Sequence, residues 1–348
     1  MSDRLRKFGR RSIKSAAAPL LRLAQEMKVN FGRNNRSAGG VMILGYHRVV
    51  ADIDAAEREA IFGLLTSTET FRRHLEIVRE QCEVLTLEEA LGVLKGEKRV
   101  ARPAAVITFD DGYRDNYDHA LPVLRAMGLP ATIFVSTGLI GTKQPLHHDR
   151  IYWLVTRARE RRFDLGEVFE GCGLRAERIA NLVAEKDAFR LVQQIVYLPF
   201  IVRERILDRL EAATGDEYPP GFELLSWEMI AEMEQSGISF GGHSDQHPVL
   251  TLEDSDTIER EIRRSKRALE DRLGRRARHF AYPNGRYNAA IKSLVARIGF
   301  DAALTTERRI ANQGDDLHAL ARVGLCEEST RGMLGRYSEA VAQMRLLT

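Results

Sequence analysis

Two short stretches carry residue types that can do chemistry. Asp110 and Asp111 are adjacent at the end of the apolar run Ala105–Phe109, and Gly112 follows. Neighbouring ionised carboxylates repel, so one has its pKa raised unless a cation sits beside it. Taken alone, Asp-Asp-Gly is also an ordinary turn. Far downstream, His243 and His247 stand four residues apart. On a helix that spacing puts both imidazoles on one face, as in metalloproteases. Here Gly241-Gly242 precede the pair and Pro248 follows it. Proline disfavours helical geometry at His247, so the pair is read on a strand end and a tight turn. No glutamate follows His243, and a general base must come from elsewhere. One aspartate with two neutral imidazoles makes a three-ligand site with positions open for water and substrate. Zn²⁺ suits such a site first, with Co²⁺, Ni²⁺ or Fe²⁺ as alternatives. The other aspartate is then free to accept a proton from water whose pKa the ion lowers, while the ion polarises a substrate carbonyl.

The elements that must bring these residues together alternate along the chain. Residues 41–50 read as an apolar strand that empties into Tyr46, His47 and Arg48. Residues 51–70 read as loop, with Thr70 capping a helix from Phe71 and Thr86 preceding another at Leu87–Lys95. After the strand ending at Asp110, Asn116–Met127 reads as a helix stopped by Gly128. Ala131–Thr137 is a further buried strand. Between Gly141 and Gly221 the strand patterns vanish, and helical runs appear at Ile151–Glu160, Glu185–Tyr197 and Ile201–Thr214. This is read as a helical insertion forming a lid or wall over one rim. Gly237–His243, His279–Tyr282, Asp301–Thr305 and Ala319–Leu325 read as strands. Helices are expected at Ser226–Ser236, at Asp256–Leu273 (stopped by Gly274), around Ala289–Arg297, and in the tail from Gly332. Seven or eight strands alternating with helices imply parallel βα units in an α/β barrel, closed or distorted. In barrels the chemistry sits at the C-terminal ends of strands. Four strands end on polar residues: at His47, at Asp110-Asp111, at His243, and at Tyr282-Pro283-Asn284.

Composition narrows the class. Of 348 residues, 44% are hydrophobic and 29% charged, with ample material for a core. The formal net charge of +3 is too small to point to nucleic acid. Cys82, Cys172 and Cys326 show no CxxC spacing, so neither a disulfide framework nor a cysteine metal site is indicated. The charge is uneven: residues 1–36 hold ten Lys or Arg against Asp3 and Glu26, a net of +8. Leu5, Phe8, Ala16, Leu20, Leu23 and Met27 recur there at near-helical spacing. The segment is therefore expected to be either a basic amphipathic helix on an anionic membrane surface or a mobile arm. Arg22 and Pro19 interrupt what would be the apolar core of a secretory signal. The expectation is a cytoplasmic, membrane-associated protein, with export to the periplasm as the alternative.

Thr108-Phe109-Asp110-Asp111-Gly112 together with His243-x-x-x-His247 resembles the polysaccharide deacetylase family, also called NodB homology or carbohydrate esterase family 4. The resemblance covers about residues 41–325 and sets aside the basic arm and much of the insertion. It implies a distorted (β/α)₇ barrel and metal-dependent removal of N-acetyl groups from N-acetylhexosamines of a glycan or glycolipid. Carried over by position, Asp110 resembles the general base, and Asp111, His243 and His247 resemble the metal ligands. The backbone N–H of Asn284 aligns with an oxyanion donor. The family's R-x-P-Y-G motif is replaced by Phe280-Ala281-Tyr282-Pro283-Asn284-Gly285, with Ala281 in the arginine's place. The ion pair that steadies the base is then absent or comes from another residue, such as Arg322. The family's late Leu-x-x-His has no counterpart in Leu320-Ala321-Arg322-Val323. A Tyr-His-x-Val opening strand with Phe-Ala-Tyr-Pro-x-Gly looks like a branch related to biofilm-polysaccharide deacetylases, in which the early histidine, His47 here, is a candidate general acid. Tyr113, Tyr282, Pro283, Asn284 and Arg322 are the expected substrate-binding residues. Two other readings stand beside this one: a catalytically silent glycan-binding barrel, and a deacylase for formyl or O-acetyl groups.

Overall fold

The strands form where apolar, β-favouring runs are bounded by glycine, proline or charge. In chain order they are β1 (Val41–Tyr46), β2 (Arg48–Val50), β3 (Leu65–Ser67), β4 (Glu83–Val84), β5 (Ala104–Phe109), β6 (Ala131–Val135), β7 (Ile238–Gly242), β8 (His279–Ala281), β9 (Ala302–Leu304) and β10 (Val323–Gly324). The computed structural model describes residues 40–215, 218–333 and 335–347. The basic amphipathic segment expected at residues 1–36 lies outside them. Seven strands form one parallel path, β10-β1-β5-β6-β7-β8-β9, with β4 paired to the start of β5. Beyond β9 the ladder continues through a parallel bridge from Leu304 to Leu320, three residues before β10 begins. The two edges thus approach one another, and the sheet curls into the distorted (β/α)₇ barrel that the alternation implies.

Around it lie α1 (Thr68–Gln81), α2 (Leu87–Leu94), α3 (Leu121–Met127), α4 (His147–Glu160), α5 (Leu165–Phe169), α6 (Ala176–Ala184), α7 (Ala188–Val196), α8 (Phe200–Thr214), α9 (Trp227–Glu234), α10 (Ser255–Leu273) and α11 (Ala289–Ile298). Local chemistry sets their ends. Thr86 and Glu89 form a reciprocal capping box on α2, and Gly128 and Gly274 end α3 and α10 in the left-handed conformation. Helix α1 begins earlier than expected. Ser67 caps it by accepting from the Thr70 amide, while the Thr70 hydroxyl donates to Glu327 at 2.9 Å. The expected 41–50 strand breaks at His47, because β2 leaves the barrel to pair with β3. Residues 51–70 are accordingly not plain loop and include a single helical turn at Ile53–Ala56.

The insertion holds five helices, α4–α8, where the sequence pattern showed three. Its own apolar cluster contains Ile151, Leu154, Phe169, Leu191, Ile195, Ile206 and Leu210, and joins the barrel side through Ile61 and Val249.

The two-residue period of the strands sorts the site before any loop is considered. On β5, Ala105, Ile107 and Phe109 pack in the main cluster with the helices, whereas Ala104 and Val106 belong to a second cluster. On β1, Met42, Leu44 and Tyr46 fall in the first set, and Val41 and Ile43 in the second. On β8, Phe280 is in the first and Ala281 in the second, and Tyr282, just past the strand, is again in the first. The second set lines the barrel interior. Continuing its parity beyond the strands brings His47 and Asp110 to the same end of that interior.

Candidate metal centre and active site

Asp111, His243 and His247 converge although 132 residues of chain separate the first two. The Oδ1 of Asp111 lies 3.5 Å from His243 Nε2 and 3.2 Å from His247 Nε2, and the two imidazole nitrogens are 3.2 Å apart. All three residues are buried. His243 Nδ1 bonds the carbonyl of Ala281 at 2.8 Å, so in the neutral ring Nδ1 carries the proton and Nε2 presents its lone pair. Burial pushes His247 down to about 4, which keeps that ring neutral, whereas burial of His243 is outweighed by Asp110 and Asp111, which raise its pKa and favour a positive charge at the site. Burial opposes charge on Asp111, but His243 and His247 hold its carboxyl well below the usual range. Three electron-pair donors thus face one another, an arrangement a cation relieves. Donors about 2.1 Å from a tetrahedral zinc are about 3.4 Å apart, so the spacing fits a divalent ion of that size.

Four of the five non-glycine residues with positive φ among the described residues are in this region: Asp111 (76°), Ser244 (62°), His247 (56°) and Asn284 (54°). Such conformations are uncommon for side-chain-bearing residues and gather where the surroundings force them. At Asp111 the left-handed turn ends the alternation of β5, so adjacent carboxylates serve different neighbours.

Asp110 bonds Arg322 through both oxygens, Oδ1 to Nη1 at 2.7 Å and Oδ2 to Nη2 at 2.6 Å. Burial raises the cost of its charge, yet the Arg322 guanidinium beside it holds the carboxyl below its ordinary value. The arginine missing at Ala281 is therefore supplied in space by Arg322. Its Nε donates to the Thr305 carbonyl at 2.8 Å, which fixes the fork. Ala281 is not idle, since its carbonyl orients His243.

These groups open on a cavity of about 100 Å³ lined by His47, Leu64, Asp110, Asp111, His148, His243, His247, Asn284 and Thr306. His47 is half-buried; burial lowers its pKa, while Asp111 and Asp110 pull it back up. Its carbonyl accepts from Asn116 Nδ2 at 2.8 Å, which pins the break between β1 and β2.

Other expected contacts lie elsewhere. Tyr282 is fully buried because β8 parity turns it toward the helices. Its hydroxyl donates to the His318 carbonyl at 2.9 Å, and its ring stacks on Tyr287. Pro283 is buried beside it and does not line the cavity. Tyr113 stands behind the site, fully buried, with its hydroxyl 2.6 Å from Asp149 Oδ2 and 2.7 Å from His148 Nε2. Arg322 has its donors committed to Asp110 and Thr305 and serves as the ion-pair partner. Sequence reasoning missed His148, Leu64 and Thr306. The only signal for the first was the His147-His148-Asp149 run opening the insertion.

The chain is similar to known proteins over most of its length. Residues 97–303 match the sequence family described as polysaccharide deacetylase. A relative named for the same family, YxkH of Bacillus subtilis (strain 168), is 24% identical over 272 residues, spanning 78% of this chain and 69% of its own length. Among solved structures, the Streptococcus pyogenes deacetylase PplD in complex with acetate superposes with a TM-score of 0.58 at 20% identity, covering 89% of this chain and 98% of its own. IcaB from Ammonifex degensii superposes with a TM-score of 0.56 at 22% identity, covering 83% and 93%. The family match extends over more than half of the chain and includes the aspartate pair, both histidines and the Ala281 segment, and so the chain belongs to the polysaccharide deacetylases and is a carbohydrate deacetylase.

Proposed function

We propose that the protein is a metal-dependent hydrolase that removes acetyl groups from N-acetylhexosamine residues of a surface or exopolysaccharide or a glycolipid. The observation that carries this reading is the Asp111, His243 and His247 donor triangle, set beside a carboxylate that Arg322 keeps ionised. A divalent ion held by those three residues, zinc before cobalt, nickel or iron, would supply Lewis acidity toward water and the acyl oxygen. The chain's own residues do the rest. Asp110 takes a proton from the attacking water, and the bidentate arginine keeps its carboxylate aimed and charged. The N–H of Asn284 supports the oxygen that gains charge on the acetyl carbon, a role a backbone donor fills whatever its side chain. His47 delivers a proton to the departing amine as the carbon–nitrogen bond breaks. Burial makes its imidazolium a stronger acid than usual, and the two carboxylates nearby favour its charged form. Acetate and a free amino sugar result. The pairing of Arg322 with Asp110 removes the motive for the silent-barrel reading, which rested on the alanine at position 281.

The same reading keeps the protein in the cytoplasm, with residues 1–36 against an anionic membrane, supported by that segment's net charge of +8. Acetate release from N-acetylglucosamine oligosaccharides tests the chemistry. Asp110→Asn should lose about 10²–10⁴-fold in kcat with its bound metal retained. Unchanged turnover would remove Asp110 from the mechanism.

A further inference from the structure

We propose that His148, delivered by the helical insertion, is a substrate-contacting residue whose Nδ1 accepts a hydrogen bond from a hydroxyl of the sugar that carries the acetamide. This rests on the deacetylase reading above and assigns the insertion a part in it. His148 is the second residue of α4, so its position is set by the insertion and not by a barrel strand. It lines the same cavity as Asp110, Asp111, His243 and His247, and its ring centre is 5.7 Å from that of His247.

The hydrogen-bond chain behind it fixes which ring nitrogen is free. Asp149 is completely buried, and its Oδ2 accepts the Tyr113 hydroxyl proton at 2.6 Å. A phenol has one proton to give, so the contact between the Tyr113 oxygen and His148 Nε2, at 2.7 Å, is donated by the histidine. Arg48, over the Tyr113 ring at 4.8 Å, helps to lock that phenol in place. With the proton on Nε2, Nδ1 is the ring nitrogen left to accept, and among the described residues the only hydrogen bond to this ring is the one at Nε2.

Among the described residues no hydrogen bond joins the His148 ring to Asp111, His243 or His247. Nε2 is 4.0 Å from Asp111 Oδ2, beyond a hydrogen bond. His148 is on the wall of a small cavity where most of the lining side chains are polar, and an acceptor offered there suits a group rich in O–H donors, which is the chemistry of a sugar ring. The buried Asp149–Tyr113–His148 chain is an expensive way to orient a ring with no role in the cavity it lines. Preorganised orientation of this kind is what substrate recognition needs.

The test uses the full-length, metal-loaded protein and acetate release from an N-acetylglucosamine oligosaccharide. His148→Ala should raise KM about tenfold, the loss expected for one neutral hydrogen bond, with most of the effect in KM and not kcat. Bound metal per chain should stay as in the wild type. Tyr113→Phe should raise KM by about threefold, because the tautomer is no longer imposed. His148→Gln, which keeps one donor and one acceptor, should recover most of the loss. Oligosaccharides lacking a single ring hydroxyl complete a cycle: one of them should be penalised about tenfold by the wild type and not by His148→Ala. A KM unchanged in His148→Ala overturns the proposal, as does a loss that tracks loss of metal. If the wild type released no acetate, the deacetylase reading would fail separately. Direct binding of the same oligosaccharide to the wild type and to His148→Ala then decides, and equal affinities overturn the contact.

Discussion

Arg322 and Asp110 show how a single missing residue can be replaced in three dimensions. Bidentate pairing requires the planar fork of a guanidinium, and lysine offers only a point charge. Arg322→Lys should therefore fold but lower kcat by about 10–100-fold, measured as acetate release at saturating oligosaccharide. An unchanged kcat would show that the fork does not matter to the base. The aspartate pair and the two histidines were legible because their residue types and spacing are rare in combination. Arg322 was legible only as a candidate, because an arginine 212 residues from its partner leaves no local pattern. Tyr282 and Tyr113 show the opposite failing. Each sits beside motif residues in sequence, but strand parity sends one ring toward the helices and a buried network claims the other hydroxyl.

At the level of elements, β7 carries the histidines to the site, and its glycines let it pass close to its neighbours. A Cβ on Gly241 would meet the Phe134 ring at 2.6 Å and the His279 carbonyl at 2.8 Å, nearer than real Cβ atoms come. Gly241→Ala must therefore shift β7 or β8, and His243 is tied to both through its place after β7 and its bond to Ala281. We expect overpacking to destabilise the fold by about 1–3 kcal/mol and metal affinity to fall by about tenfold or more. Urea unfolding and metal titration would check both, and a variant with wild-type affinity would contradict this account of the strand. The strands were readable from apolar runs ending in polar residues. Helices α5 and α6 were not. Helix α5 is only five residues long, and α6 keeps an apolar face of Ile179, Leu182 and Val183 that the sequence reading passed over. Helix α1 was placed late because Ser67 and Thr70 are both good caps. Which one caps was decided by Glu327, a contact invisible in local sequence.

Across the whole molecule, the barrel and the helical insertion keep separate apolar clusters that share a rim, and His148 is where the insertion reaches the chemistry. The insertion was legible as a change of texture, but its inward-facing end was not, because a wall and a lid have the same helical periodicity. Among the described residues no helix is long and apolar enough to cross a membrane. Three histidines buried outside the metal centre, His74, His147 and His279, are each pushed by burial down to about 4. In the unfolded chain they titrate near 6.5, so between these values the unfolded state binds more protons than the folded one. Their neutral burial costs nothing above about pH 6.5, and stability falls progressively from there to about pH 4, by up to about 3 kcal/mol per group. Urea midpoints at about pH 7.5 and about pH 5 should differ in that direction, and equal midpoints would contradict it. The central claim is that one divalent ion held by Asp111, His243 and His247 makes the barrel a deacetylase. The most direct measurement is metal content and acetate release, made together on the wild type and on Asp111→Ala, His243→Ala and His247→Ala. The account predicts about one ion per chain in the wild type, chelator-sensitive activity that returns with the ion, and loss of both in each variant. Full activity in metal-stripped protein, or variants that bind the ion and turn over as the wild type does, would contradict it.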